Sequence, residues 1–357
     1  MNNISKLFVA ILSSVVVSTS AFAGDLAVTG SANASYAING GQANSKDTGL
    51  GISNELKFAA TGELDNGFTW SYFMELDGND SGAHDNDDTQ LAIGMGGMGT
   101  LKINDSEGGL STETGFGIGA VGVGQDFAAP ADFAGHAEDV SGSGNIEYNL
   151  AADVLPFGIG AKIAYVPNNS DGDNNSYKST GAVNSAGPTG DSNIMYQLTA
   201  SPIDGLTVGA DYISAENETG TVAQSYEAGG FYAAYAIGNF KVGYGKRHHA
   251  PGIGDKVSAG AHNYEFTQQG IELALNDAVS VSYSKEESTR KSYGAALDAA
   301  AGSTPFTRTT VTYELESLQA SYDIGGATLG IVNQEATNSG YATGDATLTI
   351  VSLAMAF

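Results

Sequence analysis

The sequence predicts an all-β fold, a 16-stranded antiparallel transmembrane β-barrel that occupies residues 24–357 behind an N-terminal export signal. Three observations predict it. Helical periodicity is nearly absent, short segments of alternating apolar and polar residues repeat along the chain, and the connections between them alternate between short turns and long loops. Repetition of such short alternating segments is the sequence signature of a barrel that crosses a membrane with strands.

The first 23 residues have the layout of a secretory signal peptide. A polar start with Lys6 precedes an apolar run, Leu7–Val17, and the small-residue sequence Ala21-Phe22-Ala23 follows. That order of charged, apolar and cleavage regions is typical of an exported protein. The apolar run is too short to span a bilayer, so we expect cleavage after Ala23 and a mature chain that begins at Gly24.

Composition excludes several classes of function. The chain has 40 acidic and 14 basic residues, a net charge of −26, which argues against a nucleic-acid partner and favours cationic ones. It has no cysteine, so disulfides do not stabilise it. After the signal no apolar stretch reaches the length of a transmembrane helix, which leaves strands as the spanning elements.

Alternation can be followed strand by strand. Phe68, Trp70 and Tyr72 oppose Thr69 and Ser71. Charges in mid-strand on the polar face suit a water-filled interior, and they include Glu55, Lys57 and Lys102. A soluble β-sandwich also alternates, but it would place its bulky residues in mid-strand, whereas here aromatic residues recur near strand ends, as membrane girdles require.

One segment breaks the alternation. In residues 311–324 the apolar residues change parity, and a β-bulge near Glu316 or Ser317 is the predicted remedy.

The connections give the strand count. The short turns lie near residues 65–67, 96–99, 151–156, 202–205, 238–239, 276–277 and 325–326. The long loops lie near residues 39–50, 77–88, 106–143, 167–193, 215–224, 248–263, 286–306 and 336–345. Seven turns and eight loops predict 16 strands, which is enough to enclose an aqueous channel.

Two stretches carry a family resemblance. Ser53–Asp77 reads SNELKFAATGELDNGFTWSYFMELD, and Gln90–Gly109 contains the sequence G-x-G-T-L at Gly97–Leu101 before a polar segment and a long loop. Together with the terminal Phe357, they resemble the Gram-negative general porins, particularly their alphaproteobacterial branch. The resemblance implies an outer-membrane homotrimer with the third loop folded into the pore, and passive diffusion of small hydrophilic solutes and ions.

The third loop, residues 106–143, is acidic and has neither lysine nor arginine. Its acids are Glu107, Glu113, Asp126, Asp132, Glu138 and Asp139. In the family such a loop narrows the pore and faces a basic wall. The wall candidates are Glu55, Lys57, Lys102, Lys162, Lys241 and Arg308. That set has only one arginine, and carboxylates at a constriction favour cations, so we expect a cation-selective pore.

A second acidic segment has the spacing of a calcium loop. Its oxygen donors are Asp77, Asn79, Asp85 and Asp88. It lacks flanking helices and a glutamate at the last position, so a Ca²⁺ site and a solvated acidic loop both remain open.

Motifs for catalysis are missing from the sequence. It contains no cysteine, no G-x-S-x-G and no Walker loop, so we expect a protein that is not an enzyme and requires no cofactor. The expected partners are hydrophilic solutes, cations, outer-membrane lipid and further copies of the chain. Two alternatives of the same fold remain, a channel with a site for one solute class and a structural barrel with a plugged lumen.

Overall fold

The computed structural model describes residues 26–41, 48–78, 84–105, 108–110, 116–121, 140, 144–152, 154–167, 190–218, 224–253, 260–293 and 308–357. Within them sixteen strands form. Their bounds are β1 Leu26–Gly41, β2 Thr48–Glu63, β3 Thr69–Gly78, β4 His84–Gly94, β5 Thr100–Asp105, β6 Asn145–Asn149, β7 Gly160–Val166, β8 Gly190–Ile203, β9 Leu206–Glu218, β10 Glu227–Ile237, β11 Phe240–Ala250, β12 Gly260–Ala274, β13 Val279–Tyr293, β14 Arg308–Asp323, β15 Ala327–Thr337 and β16 Asp345–Ala356.

Each strand pairs antiparallel with its sequence neighbours, and β1 pairs with β16, so the sheet closes. The predicted 16-stranded antiparallel barrel is therefore confirmed. The terminal residue completes the closure, because the amide of Phe357 donates to the Gly30 carbonyl at 2.9 Å and the Gly30 amide donates to the Phe357 carbonyl at 2.8 Å. Closure leaves no strand edge open to another chain.

The seven predicted short turns all join consecutive strands at one end of the barrel, and the eight long connections lie at the other. We call these the short-turn end and the long-loop end. Positive φ angles at Gly67, Gly205 and Gly325 suit the tight turns there. Among the described residues, no helix is both long and apolar enough to cross a membrane.

The two faces of the sheet have opposite character. Outward positions hold large apolar side chains that remain exposed, such as Leu198, Phe231 and Ile331. Inward positions hold buried polar side chains, such as Gln268 and Gln319. An apolar exterior and a polar interior are what a bilayer outside and water inside require.

Strand β14 corrects one prediction. Its pairing with β13 and with β15 runs without a register shift, so the bulge predicted near Glu316 or Ser317 is wrong. The apolar residues change parity because they change from the inward to the outward face of the strand. Tyr313 and Leu315 point inward, where they are 0% and 1% exposed and pack with Phe266, while Leu318 points outward. The register shifts of the barrel lie in other pairs, β3–β4, β8–β9 and β12–β13.

Candidate functional site

The inner wall of the barrel is the candidate site, because its polar side chains converge there from all sides. Two of the predicted wall lysines form ion pairs with inward-facing acids on the neighbouring strand. Lys57 on β2 pairs with Glu75 on β3 and lies over the Phe73 ring, 3.6 Å from its centroid. Lys102 on β5 lies 3.3 Å from Glu147 on β6. These pairs cancel much of the positive charge on this part of the wall.

Glu75 and Glu147 were not among the predicted wall residues, although the pairing of facing residues on neighbouring strands indicates them. Lys57 and Glu75 are directly opposed across the β2–β3 hairpin, equally far along the chain from Asn66 in its turn. Lys102 and Glu147 are opposed in the same way between β5 and β6. Opposite charges on facing positions stabilise a sheet, so a register derived from the turn would have suggested the first pair.

The other predicted wall residues divide between the two faces. Glu55, Lys162 and Lys241 occupy inward positions of β2, β7 and β11, and the Lys241 ammonium donates to the carbonyl of Gly117. Arg308 occupies the same face of β14 as Leu318, so it lies on the outside of the barrel, exposed, near the long-loop end. That position does not suit a role in the pore wall.

A further inward ion pair joins β9 and β11. The Arg247 guanidinium donates two hydrogen bonds to the Asp211 carboxylate, each of 2.8 Å, and both side chains are buried. Beside it His249 stacks on Tyr264, with ring centroids 5.5 Å apart, and meets the edge of Tyr226 at 5.4 Å. This polar cluster lines the inner wall toward the long-loop end.

A described segment of the third loop, residues 116–121, lies along the inward positions of β12, β13 and β14. Three consecutive amides donate to wall side chains, from Gly119 to Glu272 at 3.2 Å, from Ala120 to Ser282 at 2.8 Å and from Val121 to Gln319 at 3.3 Å. The three acceptors lie on successive strands, so the segment crosses the sheet. Its backbone amides are hydrogen-bonded to side chains of the wall.

Inward-facing glycines make room for the apolar side chains of this segment. A Cβ at Gly270 would lie 2.6 Å from Ile118, and a Cβ at Gly330 would lie 2.6 Å from Val121. A Cβ at Gly243 would lie 2.5 Å from the Phe116 ring. No side chain fits in such a space, so the three glycines allow the segment to lie directly on the wall.

Two other described parts of the third loop contact the wall between β6 and β10. Leu110 and Val140 pack with Met195 and Ile213 in one buried apolar cluster. The Gln197 side-chain amide donates to the Leu110 carbonyl at 2.6 Å. The loop is thus attached to the wall near both of its ends and at 116–121.

The six acids predicted for the pore constriction all lie outside the described residues. Those acids are Glu107, Glu113, Asp126, Asp132, Glu138 and Asp139. The predicted calcium ligands are in a similar position, because Asn79 is not described and only the backbone of Asp77 and Asp85 is. Among the described residues, no group of three or more histidine, aspartate or glutamate side chains could hold a metal ion.

The family model of the Gram-negative porins matches residues 9–301, which is most of the chain. The chain belongs to the Gram-negative porin family. This porin is accordingly an outer-membrane channel protein, and its family and fold are those of passive channels rather than enzymes. No curated protein matches it at the level of sequence.

Several solved structures resemble the porin in fold. One is an anion-selective porin from Comamonas acidovorans, with a TM-score of 0.64 and 13% identity over 94% of this chain and 100% of that chain. Another is Salmonella typhi OmpF in complex with daunomycin, with a TM-score of 0.62 and 13% identity over 94% and 98%. A trimer form of Vibrio cholerae OmpT has a TM-score of 0.60 and 11% identity over 94% and 100%. At these identities the likeness concerns the fold.

Proposed function

We propose that this porin is a general diffusion channel through which small hydrophilic solutes and ions cross the outer membrane passively. The single observation that carries the proposal is the attachment of residues 116–121 to the inner wall across β12, β13 and β14. We expect a third loop held there to narrow the lumen, and we expect the pore to select solutes by size. Liposome swelling with sugars of graded mass tests this, because permeation should fall steeply with solute size. Equal exclusion of all solutes would indicate a plugged barrel instead.

We propose that the channel prefers cations. The third loop has six carboxylates and neither lysine nor arginine. On the wall, Lys57 and Lys102 are paired with Glu75 and Glu147, so the positive charges of these two lysines are compensated. The fold itself does not decide whether the pore prefers cations or anions, since an anion-selective porin has the same architecture. The reversal potential across a planar bilayer in a KCl gradient tests the sign, and a preference for chloride would contradict it.

A matched pair of variants locates the selectivity. Replacing Glu113, Asp126 and Asp132 together by their amides should shift the reversal potential toward zero, because three carboxylates leave the loop. Replacing Glu287, Glu314 and Glu316 by glutamine removes the same charge from outward positions of β13 and β14. The outward variant should keep the original reversal potential, because its charges lie outside the lumen.

We propose a homotrimer whose subunits meet on β1 and β2. Outward apolar residues continue there almost to the long-loop end, and Ile38, Leu50 and Ile52 are 48%, 81% and 69% exposed. On β13 the outward residues include Lys285 and Lys291 instead. An apolar face at headgroup level is stable when another subunit covers it. Native mass measurement in detergent should give a trimer that Leu50→Lys dissociates, and a monomeric wild type would contradict the proposal.

We also propose that residues 1–23 are removed on export. Edman sequencing of protein purified from the membrane should begin at Gly24, and any other start would contradict this proposal.

We propose that the acidic segment around Asp77 and Asp88 takes up Ca²⁺. Isothermal titration with Ca²⁺ should give heat that the change Asp88→Asn reduces. No heat above that of buffer would dismiss the calcium site. The assignment to the alphaproteobacterial branch remains a prediction of the sequence.

A further inference from the structure

The last long connection of the barrel bends back into the lumen. It joins β15 to β16 through residues 338–344, which we call the eighth loop. The hydroxyl of its Tyr341 lies 2.6 Å from the hydroxyl of Ser288 on β13. Ser288 is buried on the inward face and lies five positions before Tyr293, the last residue of β13. The loop therefore reaches past the rim of the barrel and over the inner surface of β14.

The Tyr341 side chain is packed against the inner faces of three strands. Its ring lies 5.7 Å from that of Tyr264 on β12 and 5.9 Å from that of Tyr313 on β14, measured between centroids. The Arg290 guanidinium of β13 lies 4.6 Å from the centroid of the same ring and donates to the Tyr341 carbonyl at 3.4 Å. Only 7% of Tyr341 remains exposed. These contacts hold the eighth loop against the wall.

The backbone of the eighth loop bends sharply where it makes these contacts. Asn338, Gly340 and Tyr341 have φ angles of 54°, 64° and 58°, in the left-handed region. This region is unfavourable for tyrosine because its Cβ crowds the backbone, and such a conformation persists only where the surrounding structure holds it. The Asn338 side-chain amide adds a further contact, because it donates to the Thr312 carbonyl at 2.9 Å. The inward position of the loop is thus fixed at both Asn338 and Tyr341.

The eighth loop lies at a different level of the channel from the third loop. Ser282 accepts a hydrogen bond from the third loop, and Ser288 contacts Tyr341. Both serines are inward residues of β13, and the six positions between them correspond to about 20 Å along the strand. The two loops are therefore attached to the same wall one above the other, with the eighth loop nearer the long-loop end.

We propose that the eighth loop forms a second size filter at the long-loop end of the channel, in series with the third loop, and that Tyr341 positions it. The inference rests on the proposed function as a diffusion channel. Solutes that enter from this end meet the eighth loop first and the third loop second. Ala342 and Thr343 follow Tyr341 and remain exposed, so they form the part of the loop that solutes pass.

A deletion of the loop tests the proposal, because the strand register allows one that keeps the barrel closed. Thr337 on β15 is paired with Asp345 on β16. Removal of residues 339–343 joins them through Asn338 and Gly344, and Asn-Gly is a preferred two-residue turn of a hairpin. Liposome swelling then compares the permeation rate of a tetrasaccharide with that of a pentose. The ratio of these two rates should be higher in the deletion variant than in the wild type.

Thiol labelling tests the position of the loop in the protein of full length. The chain has no cysteine, so a single introduced thiol can be labelled selectively. A bulky maleimide on Ala342→Cys should lower the single-channel conductance, because it adds volume to the loop inside the mouth of the channel. Thr337→Cys is the matched control, because Thr337 is also exposed but lies on the outward face of β15, next to the loop. Labelling there should leave the conductance unchanged.

Each outcome decides the proposal. A higher sugar ratio in the deletion variant, with conductance lowered by the label on Ala342→Cys alone, supports it. An unchanged sugar ratio overturns it, and so do equal effects of the two labels or no effect of the label on Ala342→Cys. A wild type that passes no sugar at all contradicts the proposed function, and this inference falls with it. Resistance of the folded barrel to cold SDS is checked first, and labelling alone decides if the deletion variant fails to fold.

Discussion

Arg247 and Asp211 form an ion pair across an intervening strand, in which one guanidinium nitrogen donates to both carboxylate oxygens. They belong to β11 and β9, and Gly230 of β10 lies between them in register. A Cβ at Gly230 would lie 2.3 Å from Cγ of Arg247, so the arginine crosses β10 only because this position has no side chain. The two hydrogen bonds of 2.8 Å therefore tie three strands of the barrel together.

The first prediction concerns this pair. The change Asp211→Asn should lower the free energy of unfolding by about 3 kcal/mol, because it removes the carboxylate charge that the buried guanidinium contacts. Guanidinium-induced unfolding in detergent, followed by tryptophan fluorescence of Trp70, measures it. The change Glu287→Gln, which breaks a partly exposed pair with Lys285, should cost less than about 1 kcal/mol. Equal losses in the two variants would mean that burial of the pair is unimportant.

The second prediction concerns the contact between the third loop and the barrel wall. The change Gly270→Ala places a Cβ where Ile118 now packs, so residues 116–121 should move away from the wall and single-channel conductance should fall. Adding Ile118→Ala removes the conflicting methyl group and should restore conductance. Gly51→Ala is the control, because nothing lies within 4 Å of a Cβ at Gly51. Unchanged conductance in Gly270→Ala would show that this contact does not set the width of the pore.

The third prediction separates the two faces of β14. Leu315 is 1% exposed in the inward cluster with Phe266 and Tyr313, so Leu315→Ala should lower the free energy of unfolding by about 2–5 kcal/mol. Leu318 is 60% exposed on the outward face, so Leu318→Ala should cost clearly less, since no packed cavity forms. Denaturant titrations of both variants measure the difference. Equal losses in the two variants would contradict the opposite faces and favour the bulge that the sequence predicts, because a bulge would place both side chains on one face.

The fourth prediction uses the paired charges of the wall. The change Lys102→Gln leaves Glu147 without its cation and should increase the preference for potassium over chloride. The change Glu147→Gln leaves Lys102 uncompensated and should decrease it. Reversal potentials of both variants in one KCl gradient provide the measurement, with Lys285→Gln as a control outside the lumen. Shifts of the same sign in both variants would exclude a direct electrostatic effect of this pair.

Alternation and turn chemistry were sufficient to predict the barrel, its sixteen strands and the positions of its turns, because a two-residue period and turn residues are local properties. The same signal failed at β14. An apolar residue facing lipid and one packed inside the barrel, such as Leu318 and Leu315, look alike in a sequence. Parity relates residues within one strand, and only the packed structure tells which face is inside.

The inner-wall contacts were harder to predict, because they join distant parts of the chain. Asp211 and Arg247 are two strands apart, and their contact depends on a glycine in a third strand. The contacts of Ile118 with Gly270 and of Val121 with Gly330 depend on how the third loop crosses the sheet. The acidic character of that loop is evident from its composition, whereas its path along the wall is not evident from the sequence.

We propose that this porin encloses an open, water-filled channel, and single-channel recording in a planar bilayer tests this most directly. Purified, folded protein in symmetric KCl should produce discrete conductance steps whose size rises in proportion to salt concentration, as expected for ions in water. Folded protein that inserts but gives no steps, or a conductance that saturates at low salt, would contradict the account.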